Sequence, residues 1–271
     1  MRRAPNSVLP DSTIATLPPD DQIDDPDHWR GCTVILDLED PKLRLRAQSL
    51  TQLCKNDREK ALALYGYVKR MPVCKPLKLK LRTARQVMDA GKGDAEDKAS
   101  LLVALLRAAD IPARLRYVEI NGSILRGLVD SIQSFSRPLV EVWLYGMWLR
   151  TDTFIFEATY MAAALKRLHA DDWECGYGMH RKAQMIWNGT QSAYLGGLPS
   201  EQDPWVVAHN GVFHDHQHYT LSPAFTNRHP RFARSMLWNV LSPNIQRVMR
   251  ELREDGNRSL PPSLREPSRL L

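Results

Sequence analysis

Several features that define common protein classes are absent from this sequence. The 271 residues contain no run of 18 apolar residues, so we expect no membrane-spanning helix. Two arginines follow the first methionine without an apolar stretch behind them, so we expect no secretory signal and a cytoplasmic location. The four cysteines form no CxxC pair, which argues against a zinc ribbon and a disulfide framework. No nucleic-acid-binding motif is present, although the formal net charge is +6.

The composition indicates one folded domain with irregular ends. Hydrophobic residues make up 43% of the chain, which is enough for a core. Residues 1–28 are rich in proline and aspartate and predict a flexible N-terminal segment. We expect a domain at residues 29–254, with its core at 58–155, a C-terminal helical extension at 156–254 and a loose tail at 255–271.

The strongest local pattern is a buried helix that begins after Gly93-Asp94. Asp94 is a good N-cap residue, and Glu96 and Asp97 suit the first turn because the helix dipole favours negative charge there. Leucine, alanine and valine then cover most sides of the helix, as expected for a helix inside the core. The segment Asp110-Ile111-Pro112 ends it.

Weaker patterns predict the elements around this helix. Helical spacing predicts helices at 42–53, 57–71 and 154–168, and a last helical region at 232–253 that is broken at Ser242-Pro243. Alternation and turn residues predict strands at 33–36, 114–120, 138–144 and 147–153. The turns are expected at Asn121-Gly122 and Tyr145-Gly146.

The buried helix and its flanks resemble the nucleophile region of the transglutaminase-like superfamily, which has a papain-like thiol-enzyme fold. The shared features are Gly93-Asp94, the acidic first turn, the leucine-rich helix, Arg107-Ala108 and Ile111-Pro112-Ala113-Arg114. The resemblance implies an α+β fold in which this helix packs on an antiparallel β-sheet. It also implies a nucleophilic cysteine at position 95, where this chain has Ala95.

A second block that resembles the superfamily follows further along the chain. Val140-Glu141-Val142, Gly146, Trp148 and Asp152 fit a hairpin that carries the remaining catalytic residues. The resemblance implies that Arg137 stands at the position of the catalytic histidine and Asp152 at that of its orienting aspartate. We predict an ion pair between Arg137 and Asp152 across adjacent strands; the alternative is a solvent-facing Arg137.

These substitutions imply a catalytically degenerate relative. In thiol enzymes of this kind the cysteine attacks a carboxamide or ester carbonyl, and the histidine carries the proton. The methyl group of Ala95 cannot attack, so we expect a non-catalytic protein that binds a peptide, an acyl-amine or a protein partner in the former cleft.

Four further residues are candidates for the lining of that cleft. They are Asp94, Glu96, Trp148 and His180. His180 ends the segment Gly176-Tyr177-Gly178-Met179-His180, which resembles a bacterial subgroup of the superfamily and implies a bacterial protein. A histidine whose hydrogen bonds are satisfied by the fold is the other interpretation of His180.

A histidine cluster supports an alternative function. His214, His216 and His218 alternate, with His209 and His229 nearby, and on a strand the three would lie on one face and could bind a divalent metal. The alternative is therefore an acyl-transfer or amide-bond enzyme of the same superfamily, with a non-standard residue set or with this metal. A surface histidine cluster, with no cofactor, is the opposing interpretation.

Overall fold

The computed structural model describes residues 23–75, 80–227 and 231–259. Before the sheet it has the helices α1 (Pro41–Thr51), α2 (Asp57–Arg70), α3 (Ala84–Ala90) and α4 (Ala95–Ala108). The central strands are β1 (Ala113–Asn121), β2 (Ser134–Leu144) and β3 (Met147–Thr151). They are followed by α5 (Ala158–Ala170), β4 (Cys175–Gly176), β5 (Met179–His180), β6 (Val206–Phe213), α6 (His216–Leu221), α7 (Pro223–Thr226) and α8 (Arg231–Ser259).

An antiparallel sheet with the strand order β3-β2-β1-β6 forms the centre of the fold. Its register sets Glu141 of β2 opposite Arg114 of β1 and opposite Arg150 of β3. The tight turn between β2 and β3 falls at Tyr145-Gly146, as the sequence predicts, with positive φ at both residues. The expected turn after β1 is absent, because a 3₁₀ helix over Gly122–Leu125 begins a longer connection to β2.

Helix α4 packs against β1 and β2, and its residues from Asp97 to Arg107 are all buried. Asp94 caps the helix by accepting a hydrogen bond from the backbone N–H of Asp97. The Asp97 side chain accepts one from the N–H of Asp94 in return. The predicted core helix is confirmed with the expected N-terminal boundary.

Two predictions about the outer parts of the chain are wrong. Residues 33–36 form a turn and not a strand, because the Thr33 hydroxyl accepts from the Leu36 N–H and Asp37 closes the turn at φ 55°. Helix α8 is not interrupted at Pro243 and continues to Ser259. It packs along α5, and on either side of the proline Ser242 and Gln246 donate to the carbonyl of Lys75, so tertiary contacts hold the helix where a proline removes a backbone hydrogen bond. The domain boundaries themselves stay a prediction.

No helix in the described part of the chain combines the length and the apolar character that a membrane crossing requires.

Candidate functional site at the start of helix α4

A cavity of about 260 Å³ opens beside the N-terminus of α4. Its polar edge includes Asp94, Ala95 and Glu96 from the start of the helix. Apolar side chains from six parts of the chain form most of the remaining wall: Val73, Leu125, Leu128, Val129, Phe135, Ile155, Phe156, Phe225, Ile245 and Met249. The cavity is therefore mainly apolar, with two carboxylates at one helix end.

The position of Ala95 is fixed by the loop in front of it. Residues Val73 and Gly93 form a parallel bridge, and the N–H of Cys74 donates to the carbonyl of Gly93. A Cβ atom on Gly93 would lie 2.7 Å from the Cβ of Asp97, so the loop can approach the helix this closely only with glycine. Ala95 consequently occupies the first helical position and presents a methyl group to the cavity.

Arg137 lines the same cavity, and two contacts fix the position of its guanidinium. Its Nη1 lies 3.4 Å from Asp152 Oδ2, and its Nη2 donates to the carbonyl of Gly178 at 2.7 Å. Asp152 Oδ1 accepts from the N–H of Leu195 at 2.8 Å. Burial raises the pKa of Asp152 and lowers that of Arg137, and the attraction between the two charges opposes both shifts. The structure thus contains the ion pair that the sequence predicts.

Two buried lysines that the sequence analysis did not predict donate hydrogen bonds to backbone carbonyls beside the cavity. Lys98 Nζ donates to the carbonyls of Met71 and Ile155, both at 2.8 Å. Lys69 Nζ donates to the carbonyl of Thr153 at 2.7 Å. Burial lowers the pKa of Lys98 to about 7 and that of Lys69 to about 8. The available signal was a lone lysine, at position 98, on an otherwise apolar helix face.

Cys74 also lines the cavity, close to Ala95, but its thiol is not activated. Burial raises its pKa to about 11, and the carboxylate of Asp94 adds to that shift. Lys75 Nζ lies 3.3 Å from Asp94 Oδ2, so the cation in this loop is paired with the helix cap. Because the thiolate is the reactive form of cysteine, Cys74 lacks the property that a replacement nucleophile needs.

The three alternating histidines do not share one face of a strand. Asp215 caps α6 by accepting from the N–H of His218, which turns the chain into a helix at this point. His216 Nδ1 lies 2.8 Å from the hydroxyl of Tyr117 in the cavity wall. His214 Nε2 lies 3.1 Å from His28 Nε2.

This arrangement corrects the strand geometry on which the metal prediction was based. No set of three or more histidine, cysteine, aspartate or glutamate side chains among the described residues is placed to hold a metal ion. His229 lies outside the described residues. Metal binding therefore stays an untested prediction for the chain.

The four cleft candidates divide into two groups. Asp94 and Glu96 line the cavity. Trp148 does not: its ring lies under the guanidinium of Arg114, at 4.1 Å. His180 is also outside the lining, since its Nδ1 accepts from the N–H of Lys182 and its Nε2 lies 3.3 Å from Glu174 Oε1. For these two side chains the structure corrects the expectation, and the interpretation of His180 as a satisfied structural histidine fits.

Comparison with known proteins agrees with this architecture. Residues 44–153, from α1 to the residue after Asp152, match the family profile described as the transglutaminase-like superfamily. The predicted α+β fold, with a helix on an antiparallel sheet, is confirmed. No curated protein matches the sequence significantly.

Two solved structures are similar to part of the chain. One is a proposed cysteine protease from Cytophaga hutchinsonii, with 19% identity, a TM-score of 0.39 and coverage of 48% of this chain and 42% of that one. The other is a proposed protease from Parabacteroides distasonis, with 21% identity, a TM-score of 0.32 and coverage of 42% of this chain and 24% of that one. This chain therefore spans less than half of either protein.

Proposed function

We propose that this protein is a catalytically inactive transglutaminase-like protein that binds an apolar segment of a peptide or protein partner beside Ala95. The observation that carries the proposal is the pair of side chains at the cavity. Ala95 and Arg137 both line it, and the superfamily resemblance assigns the first to the position of the thiol and the second to that of the imidazole. Loss of the cysteine alone would disable such a site. Loss of the histidine as well removes the general base in addition to the nucleophile.

The surroundings of Arg137 support the inactive part of the proposal. Its guanidinium contacts Asp152 and the carbonyl of Gly178, so the orienting aspartate is used in a structural ion pair. A guanidinium stays protonated and has no lone pair for accepting a proton, so Arg137 cannot act as a general base. Cys74, the thiol in the cavity wall, has a raised pKa.

The walls of the cavity support the binding part. The volume of about 260 Å³ exceeds the roughly 150 Å³ that accommodates benzene in an engineered protein cavity. Apolar side chains dominate the lining, and burial of apolar surface stabilises a complex by roughly 25 cal/mol per Å². One large apolar side chain of a partner fits these properties, and an acyl-amine with an apolar chain would compete for the same space.

Enzymatic assays test the inactive part. Purified protein is incubated with glutamine-containing peptides, with and without a primary amine, and ammonia release and amine incorporation are measured. We expect the same rates for the natural chain and for an Asp152→Asn variant. Turnover above that control would contradict the proposal and favour the alternative, an amide-bond enzyme with a non-standard residue set.

Selection from a random peptide library tests the binding part. We expect enrichment of peptides with a large apolar residue, and loss of their binding in Ala95→Phe, which fills the cavity. Ala162→Phe on the exposed face of α5 is the matched control and should bind normally. Peptides that bind Ala95→Phe and the natural chain equally would show that the cavity is not the binding site.

A further inference from the structure

A second polar centre lies on the sheet, outside the cavity, around Glu141. The carboxylate of Glu141 is fully buried, and three arginine side chains donate to it through their Nε atoms. Arg114 lies at 2.5 Å from Oε2, Arg116 at 2.5 Å from Oε1 and Arg150 at 2.7 Å from Oε1. None of these four residues lines the cavity at Ala95.

The charges of this centre do not balance. Burial alone would raise the pKa of Glu141, but Arg116 and Arg114 reverse the shift and hold the pKa below its usual value, so the carboxylate is ionised. Arg150 also pairs through Nη1 with Glu201, whose side chain is 51% exposed. Three guanidinium groups therefore face two carboxylates, and one of those carboxylates is at the surface.

Two of the arginines have donors that face solvent. Arg114 is covered, since its guanidinium contacts the rings of Trp29 and Trp148 and its side chain is 5% exposed. Arg116 and Arg150 retain 17% and 23% side-chain exposure. Because both bond the same oxygen of Glu141, their guanidinium groups lie side by side. The terminal nitrogens of Arg116 bond no residue in the part of the chain that the structure describes.

We propose that Arg116 and Arg150 form a binding site for the oxyanion group of a small ligand, either a phosphate or a carboxylate. Paired guanidinium groups recognise such oxygens through parallel N–H donors. Glu201 occupies one donor of Arg150 in the ligand-free chain, and its exposed carboxylate is replaced when the anion binds. Glu141 fixes the Nε ends of both arginines, so their terminal nitrogens are oriented before binding.

Isothermal titration calorimetry of the full chain with inorganic phosphate, at constant ionic strength maintained with sodium chloride, tests this site. We expect saturable binding at one site. Arg116→Gln should weaken it at least about tenfold, the effect of one lost charge-assisted contact. Glu201→Gln should strengthen binding, because it removes the competing carboxylate. Arg181→Gln, which alters a surface arginine paired with Asp172, should bind as the natural chain does.

Further ligands distinguish the two sources of the oxyanion. Binding of phosphate and sulfate without acetate would assign a tetrahedral ligand, and acetate binding of equal strength would assign a carboxylate. Thermal unfolding of Arg116→Gln verifies that the variant is folded. Absence of saturable binding, equal affinity in folded Arg116→Gln, or weaker binding in Glu201→Gln would each overturn the proposal. Because these residues lie outside the cavity, the result is independent of the peptide-binding test.

Discussion

The guanidinium of Arg137 lies 3.4 Å from the carboxylate of Asp152, and both side chains are buried. Removal of one partner from a buried pair leaves an uncompensated charge, which costs about 3–5 kcal/mol. We therefore expect Arg137→Leu to lower the free energy of unfolding by that amount, as measured by urea denaturation. The double variant Arg137→Leu with Asp152→Leu should recover part of the loss. A cost below about 1 kcal/mol, the level of exposed pairs, would contradict a structural role for the pair.

A cysteine introduced at position 95 should be more reactive than the natural thiol in the cavity. Ala95 is at the first position of α4, where the helix dipole favours a thiolate, whereas burial raises the pKa of Cys74 to about 11. We expect the new thiol of Ala95→Cys to be alkylated by iodoacetamide at neutral pH on the order of a hundredfold faster than Cys74.

Adding Arg137→His to this variant tests the proposal that positions 95 and 137 correspond to a catalytic cysteine and histidine. Peptide mapping by mass spectrometry gives the alkylation rate of each cysteine separately, since Cys32, Cys54 and Cys175 are present beside Cys74. Fast alkylation together with amide turnover in the reconstructed protein would mean that the domain still positions a catalytic triad. Equal alkylation rates for the introduced thiol and for Cys74 would mean that the surroundings of α4 do not favour a thiolate.

The central helix could be predicted because its signals are local. Asp94 and Asp97 cap the first turn, and an apolar surface follows, so α4 forms where the sequence indicates. The cavity walls could not be predicted in the same way. Ile245 and Met249 of α8 reach the cavity from far along the chain, and no periodicity in either segment predicts that contact.

The histidine region shows how one local signal can override another. Alternation of His214, His216 and His218 is typical of a strand. Asp215 stands three residues before His218 and caps α6, and this signal was also present in the sequence. The helix directs His216 to Tyr117, whereas His214 contacts His28 and its ring stacks on that of His218 at 6.0 Å. In this segment the capping residue predicts the structure better than three alternating side chains do.

Gly178 should tolerate no side chain, because two separate constraints act on it. Its φ is +86°, and a Cβ atom there would lie 2.6 Å from Cζ of Phe156, whose ring is stacked on Tyr160. We expect Gly178→Ala to lower the free energy of unfolding by more than about 2 kcal/mol, the upper end of the backbone strain alone.

Gly146 supplies the matched control for this measurement. Its φ is +75°, but no atom lies within 4 Å of an added Cβ. Gly146→Ala should therefore show only the backbone strain of about 1–2 kcal/mol. Equal losses in the two variants, measured by urea denaturation, would mean that Phe156 moves aside and that packing contributes nothing at Gly178.

The burial of Lys98 should give the protein a measurable pH dependence of stability. Burial lowers its pKa from 10.5 to about 7, so between these values the unfolded chain binds a proton that the folded chain does not. Stability therefore rises with pH across this window, by up to about 1.4 kcal/mol per pH unit for one group. Below it both states are protonated, and the full cost of burying the ammonium group is present.

Comparison with Lys98→Met isolates this contribution from other titrating groups. The variant should be less stable at high pH, because the carbonyls of Met71 and Ile155 lose their donor, at a cost of about 1–3 kcal/mol per buried group. Its free energy of unfolding should rise less steeply between about pH 7.5 and pH 9.5. Lys166→Met, at an exposed position of α5, should keep the natural slope. Identical slopes for all three proteins would mean that Lys98 stays charged in the folded state. The carbonyls of Met71 and Ile155 would then accept from an ammonium group throughout this pH range.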